Sequence, residues 1–183
     1  MNKWNKKRKI MQRYDLTARM YDERYAEEQA AKYQAALKQL ELHGNVLDVG
    51  CGTGLFFRYI AAEAETMVGV DISRLLLLQA RKRAQAFRNV NLVQADADHL
   101  PFRDARFNVV SAFTVLQNMP KPLETLREFK RNVEGGGYLV VSGLKKAFSL
   151  EAFQVLLQKA GLQVVHIERA DALKCYVAVT TRN

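Results

Sequence analysis

The chain reads as an α/β protein, with a seven-stranded, mostly parallel, doubly wound sheet whose last strand is antiparallel. Helices cover both faces, giving a three-layer α/β/α sandwich. Three observations predict this. Short apolar runs rich in β-branched residues alternate with helical stretches, the pattern of a parallel sheet. The first run, ending at Val49, leads through Gly50, Gly52 and Gly54 into the helical stretch Leu-Phe-Phe-Arg-Tyr-Ile-Ala-Ala, so strand, tight turn and helix follow one another. The last two runs, 162–169 and 174–181, are joined by a turn around Ala170-Asp171-Ala172. That connection is too short for a crossover helix, so the two pair antiparallel.

A length of 183 residues fits one domain with an ample core. No run of about 20 apolar residues occurs, so no membrane span is expected. The N-terminal Lys and Arg residues precede no apolar stretch of the secretory type. Cys51 and Cys175 lack metal-type partner spacing and imply no disulfide framework, which points to a reducing cytoplasm. Lys and Arg total 28 against 19 acids, a net charge of +9 that favours polyanionic partners. Residues 1–13 form a basic arm with no acid and one aromatic, Trp4, suited to a phosphate backbone. The domain proper is 14–183.

Within it, 14–25 hold Tyr14, Tyr21 and Tyr25, and 26–42 read as a helix with a stripe of Ala30, Tyr33, Leu37 and Leu40. Glu28 can pair with Lys32 along it, and His43-Gly44-Asn45 stops it. After the glycine turn, the strand 66–70 ends in Asp71. An acid there can accept hydrogen bonds from the two ribose hydroxyls of an adenosine. Ile72 would lie against the base. Ser73 caps the next helix, 74–87, with Leu75 to Leu78 inward and its arginines solvated. Strand 90–94 runs into Asp96-Ala97-Asp98-His99-Leu100-Pro101-Phe102, strand 107–111 into Phe113-Thr114 and Gln117-Asn118. Pro122 starts a helix ended by Gly135-Gly136-Gly137. Strand 138–142 exits through Lys145-Lys146, placed for a phosphate. Ser149 caps a helix stapled by Phe148 on Phe153 and stopped by Gly161.

The glycine turn decides between ligands. A dinucleotide site reads G-x-G-x-x-G, and here Leu55 stands at the third glycine. The pattern Asp48-x-Gly50-x-Gly52-x-Gly54 instead resembles motif I of the class I, Rossmann-like, S-adenosylmethionine-dependent methyltransferases. Three more stretches are similar to that family over about 14–181. Tyr14-Asp15-x-x-Ala18-x-x-Tyr21-Asp22 resembles its lid segment. Asp96-Ala97-x-x-Leu100-Pro101-Phe102 resembles the loop of the branch related to ubiquinone and menaquinone biosynthesis. Residues 113–119 resemble its F-G-x-x-N-V/M stretch. Phe107-Asn108 departs from the usual Phe-Asp, and the N-P-P-Y tetrad of many amine and amide methylases is missing.

The resemblance implies S-adenosylmethionine as cofactor and S-adenosylhomocysteine as product. It places the cofactor against Tyr14, Asp48 (orienting the turn), Gly50, Cys51, Gly52, Gly54, Asp71, Ile72, Phe113 and Thr114. Asp96 would take the adenine amine and the Ala97 backbone a ring nitrogen. Tyr21, Gln117 and Asn118 would face the methyl acceptor, with Tyr25, Lys145 and Lys146 contacting substrate. Charge favours RNA modification, on tRNA or rRNA. A small-molecule C- or O-methyltransferase of quinone type, and a SAM-binding or protein-methylating subunit, are the alternatives. Some small members work with a compact zinc-binding activator protein, a partner that a bare core like this one can need.

Overall fold

The computed structural model describes residues 3–17, 21–40 and 42–182. Seven strands, β1 (Asn45–Val49), β2 (Thr66–Asp71), β3 (Val90–Gln94), β4 (Phe107–Ala112), β5 (Val133–Leu144), β6 (Gln163–Glu168) and β7 (Cys175–Thr181), form one sheet ordered β3-β2-β1-β4-β5-β7-β6. β7 runs antiparallel between β5 and β6, and the pairs among β1 to β5 are parallel. The expected hairpin is therefore present, with its second strand inserted beside β5. Strand order reverses at β1 and β4, the switch point where doubly wound sheets leave a crevice beyond their carboxyl ends.

Alternate residues of each central strand serve opposite faces. Val46, Met67, Val109, Val140 and Val179 join one core, under α2 (Tyr21–Leu37), α3 (Phe57–Ile60) and α4 (Arg74–Ala84). Leu47, Val70, Val110, Leu139, Val141 and Ala178 join the other, under α5 (Pro122–Asn132) and α6 (Leu150–Lys159). Phe129 and Phe153 are fully buried in that second layer. Ser73 and Ser149 cap α4 and α6, accepting from the backbone N–H of Leu76 and Ala152. The Phe148 and Phe153 rings meet at 6.0 Å, as a hydrophobic staple requires.

Several boundaries differ from those read off the sequence. The basic arm is not an arm: α1 (Lys3–Thr17) is a helix that crosses the expected boundary at residue 13 and lies on the mouth of the crevice. The buried face of α2 is Gln29, Lys32, Tyr33 and Ala36, one residue round from the expected stripe. Leu75 and Leu78 on α4 are exposed, while Leu76 faces in. Arg83 is not a solvated cation, because its guanidinium donates to the Thr53 carbonyl at 2.6 Å and clasps the glycine turn. Gly135-Gly136-Gly137 do not end α5 but lie within β5, where the pairing with β4 shifts register. Asn108 replaces the family's acid usefully: its Oδ1 accepts from Asn45 N at 2.7 Å and its amide donates to Glu134.

Gly54 shows what the turn demands. Its φ is +78°, and a Cβ would lie 2.4 Å from the ring of Phe57. Phe57 is fully buried and cannot retreat. Gly54→Ala is expected to lower stability by about 2 kcal/mol, from the left-handed backbone and the clash together. Urea unfolding measures this, and a loss below a few tenths would count against a rigid turn.

Candidate functional site

Beyond the carboxyl ends of β1, β2 and β4 the chain leaves an open crevice, at the place where doubly wound sheets take their ligands. Gly50, Gly52, Asp71, Ile72, Asp96 and Ala97 line it, as expected. So do Phe113, Thr114, Tyr14 and Asn118. Asp48 and Cys51 line a smaller recess that continues it past Gly50 and Phe113. Gly54 packs behind the turn on Phe57 and lines neither.

Asp71 is the keystone. Its Oδ2 accepts from Gly52 N at 2.9 Å and its Oδ1 from Ser73 N at 2.8 Å, so one carboxylate ties the glycine turn to the start of α4. The turn-orienting role expected of Asp48 thus falls to Asp71. Asp48 instead accepts from Ser111 Oγ at 2.8 Å, inside the sheet. Burial pushes the Asp48 carboxyl up to about 7, with Asp71 adding to the rise against the Ser111 hydrogen bond. It pushes Asp71 up to about 6, against the N–H groups of Ser73 and Gly52.

The turn itself meets a ligand differently from the expectation. The N–H groups of Gly50 and Cys51 donate to the Val70 carbonyl, and that of Gly54 to Cys51. With Gly52 N on Asp71, these four donors are committed internally. α3 is a single four-residue helix with no side-chain cap. The glycines therefore serve by leaving room. Gly52 has φ +56° and nothing within 4 Å of where a Cβ would stand. Its bare side faces the crevice, and a methyl there would fill ligand space. That cradle fits a cofactor laid against the main chain.

At the end of β4, Thr114 holds φ +64°, in the left-handed region where the family's stretch has glycine. Five hydrogen bonds keep it there. Its N–H donates to Ser142 Oγ (2.7 Å), and its carbonyl accepts from Gln117 Nε2 (2.8 Å) and Asn118 Nδ2 (3.0 Å). Its hydroxyl accepts from Gln29 Nε2 (3.3 Å) and Lys32 Nζ (3.2 Å). Gln117 thus positions Thr114 and does not line the crevice. Asn118 does line it, and also donates to the Tyr14 hydroxyl at 3.2 Å. Phe113 packs edge-on against Tyr33 and Phe56.

Other expected substrate residues stand apart. Lys145 is turned away: its ammonium donates to the carbonyls of Arg169 and Ala170 and sits over the Tyr176 ring. Lys146 is exposed beside it. Tyr25 is half-buried and outside the crevice. The Tyr21 side chain, and residues 18–20 of the expected lid, lie outside the described residues.

Two lysines were missed. Lys32 is fully buried, paired with Glu28 at 2.8 Å. The i,i+4 pair was legible, but its direction was not. Lys7 is 8% exposed, and its ammonium lies 2.7 Å from both oxygens of Asp96 and 2.5 Å from Asp98 Oδ2. A cationic arm carries no signal that one of its charges folds back onto a loop 89 residues away.

A sheet in this order, with its crevice at the switch point, a carboxylate at the end of β2 and another just after β3, defines a class I S-adenosylmethionine-dependent methyltransferase domain. Residues 47–141, more than half of the chain, match the family described as a methyltransferase domain, and the chain belongs to that family. It is 31% identical over 144 residues to a malonyl-[acyl-carrier protein] O-methyltransferase of Marinomonas, across 76% of this chain and 53% of that protein. Over 97 residues it is 34% identical to a demethylmenaquinone methyltransferase of Staphylococcus saprophyticus, across 51% and 42%. The chain spans about half the length of these curated relatives. Among solved structures, it matches a chain of the complex between the Haloferax volcanii Trm112 methyltransferase activator and a methyltransferase. There the TM-score is 0.79 at 17% identity, covering 92% of this chain and 96% of that one. A SAM-dependent methyltransferase of Aquifex aeolicus matches with TM-score 0.72 at 18% identity, covering 81% and 88%. Among the described residues, no helix is long and apolar enough to cross a membrane.

Proposed function

We propose that this chain methylates RNA, tRNA or rRNA, in the cytoplasm, using S-adenosylmethionine held in the crevice. The observation that carries the RNA reading is the placement of charge. α1 and α4 pack together beside the crevice. α1 exposes Trp4, Arg8 and Lys9, and α4 exposes Arg74, Arg81 and Lys82. A cationic surface with an aromatic suits a phosphate backbone and an unstacked base. Lys145 and Lys146 contribute less than expected, since Lys145 is committed to carbonyls.

When bound, the cofactor supplies a methyl group on a sulfonium; its carbon–sulfur bond breaks as the acceptor's bond forms, and the electron pair stays on sulfur, giving S-adenosylhomocysteine. The chain supplies alignment. Asp71 would accept from the ribose hydroxyls, Ile72 would lie on the base and Gly52 would leave room. Tyr14, Phe113 and Asn118 wall the acceptor side and keep water out. A base is needed only for an acceptor that must lose a proton.

The names of the curated relatives support a second reading, a small-molecule C- or O-methyltransferase of quinone type, to which the apolar wall of Phe113, Val115 and Met119 is suited. The Haloferax neighbour supports an activator partner, with a SAM-binding or protein-methylating subunit as the remaining form. Incubation with labelled S-adenosylmethionine and separate total RNA, protein and lipid extracts tests these together. Salt-sensitive labelling of RNA is expected. Label in lipid alone would favour the second reading, and label in protein alone the last.

A further inference from the structure

We infer that Lys7 is a built-in competitor for the adenine end of the crevice, so that cofactor loading requires the N-terminal turns of α1 to lift from Asp96. This rests on the reading of the crevice as an S-adenosylmethionine site, and it concerns a residue that reading does not use.

The ammonium bridges both oxygens of Asp96 at 2.7 Å and reaches Asp98 Oδ2 at 2.5 Å. Asp96 Oδ1 also accepts from Asp98 N at 3.0 Å. The carboxylate edge that an adenine amine would approach is therefore already filled by a donor. An ammonium has three hydrogens and no lone pair, so an incoming N–H₂ finds a second donor where it needs an acceptor. Ile10 and Tyr14, one and two turns further along the same face, line the crevice with Lys7. The helix thus lies along the space a nucleoside would enter.

Its far end is separately anchored. Asp15 accepts from Ser73 Oγ, and the Tyr14 hydroxyl accepts from Asn118. These contacts lie about 10 Å along the axis from Lys7. α1 can therefore release Asp96 while its last turn stays on the acceptor wall, a strap fixed at one end. Burying Lys7 between two carboxylates gives the docked position charge-assisted hydrogen bonds that no neutral side chain could replace.

The test is equilibrium binding of S-adenosylhomocysteine, by calorimetry, to the full chain and to Lys7→Met, which keeps the apolar stem. If the docked state is populated about nine-tenths of the time, the variant binds about tenfold more tightly. Lys7→Gln, as a second neutral variant, should move the same way. In the wild-type chain, ligand should speed tryptic cleavage after Arg8 and Lys9. Equal or weaker binding by both variants, or protection of those sites by ligand, would overturn the inference alone and make Lys7 a spectator or a clamp. No binding by wild type or variants would overturn it together with the cofactor reading.

Discussion

Asp71→Ala is expected to weaken S-adenosylmethionine binding about a hundredfold. The carboxylate is buried, and in the free protein it already satisfies the N–H groups of Gly52 and Ser73. Removing it deprives the two ribose hydroxyls of their acceptor, while the loss at the Gly52 and Ser73 N–H groups, the same with or without ligand, falls on stability. Each unmet buried group costs about 1–3 kcal/mol. Water entering the vacated space offsets part of that sum, so a loss of about 3 kcal/mol is the central expectation. Part of the effect is mechanical, because Asp71 sets the path of the turn that carries Gly52. Asp71→Asn, which keeps the shape and one accepting oxygen, should fall between alanine and wild type. Asp96→Asn should cost less, since that carboxylate is more exposed and already bridged by Lys7. Calorimetry decides the matter, and an unchanged affinity in a folded Asp71→Ala protein would count heavily against the site.

How much of this was legible depends on how local the physics is. Strand identity, the glycine turn, Asp71 and the two serine caps are decided within a few residues, and each is where the sequence puts it. The antiparallel end followed from a turn too short for a crossover. Side-chain direction was not local. Gln29 and Lys32 have the period of a buried face, but their polarity hides them until Thr114 supplies a partner 82 and 85 residues away. Thr114 itself, standing where the family has glycine, was visible as a letter, but the polar cradle that holds it left-handed was not. The basic arm misled for a related reason. Seen alone its charges are solvated, and only the acidic loop after β3 lets Lys7 be buried. Leu75 and Leu78 misled in the opposite sense: a run of four leucines in α4 cannot all face one core, because a helix turns away after each residue.

Without cofactor, the protein is expected to lose stability as pH rises from about 4 to about 7. Asp48 and Asp71 carry carboxyls raised by burial from 3.8 to about 7 and about 6. The unfolded chain releases both protons near pH 4, whereas the folded chain keeps them longer. Across that window the native state binds more protons, so unfolding becomes easier with each unit of pH until the folded groups ionise. For Asp48 alone the full change is on the order of 4 kcal/mol. Glu28 works against it: burial raises that carboxyl, but Lys32 and Lys174 outweigh burial and hold it low, so its contribution is lost as pH falls. Asp48→Asn removes the stronger of the two acid effects while keeping an acceptor for Ser111. It should therefore be more stable than wild type at pH 8, with a clearly smaller advantage at pH 5, in thermal melts at both. Cofactor binding should flatten part of that slope, because Asp71 would accept from the ribose hydroxyls best when ionised. Binding near pH 6.5 should then release protons, read as a buffer-dependent enthalpy in calorimetry. Parallel melting curves for wild type and Asp48→Asn across this range would mean that the fold does not hold Asp48 protonated.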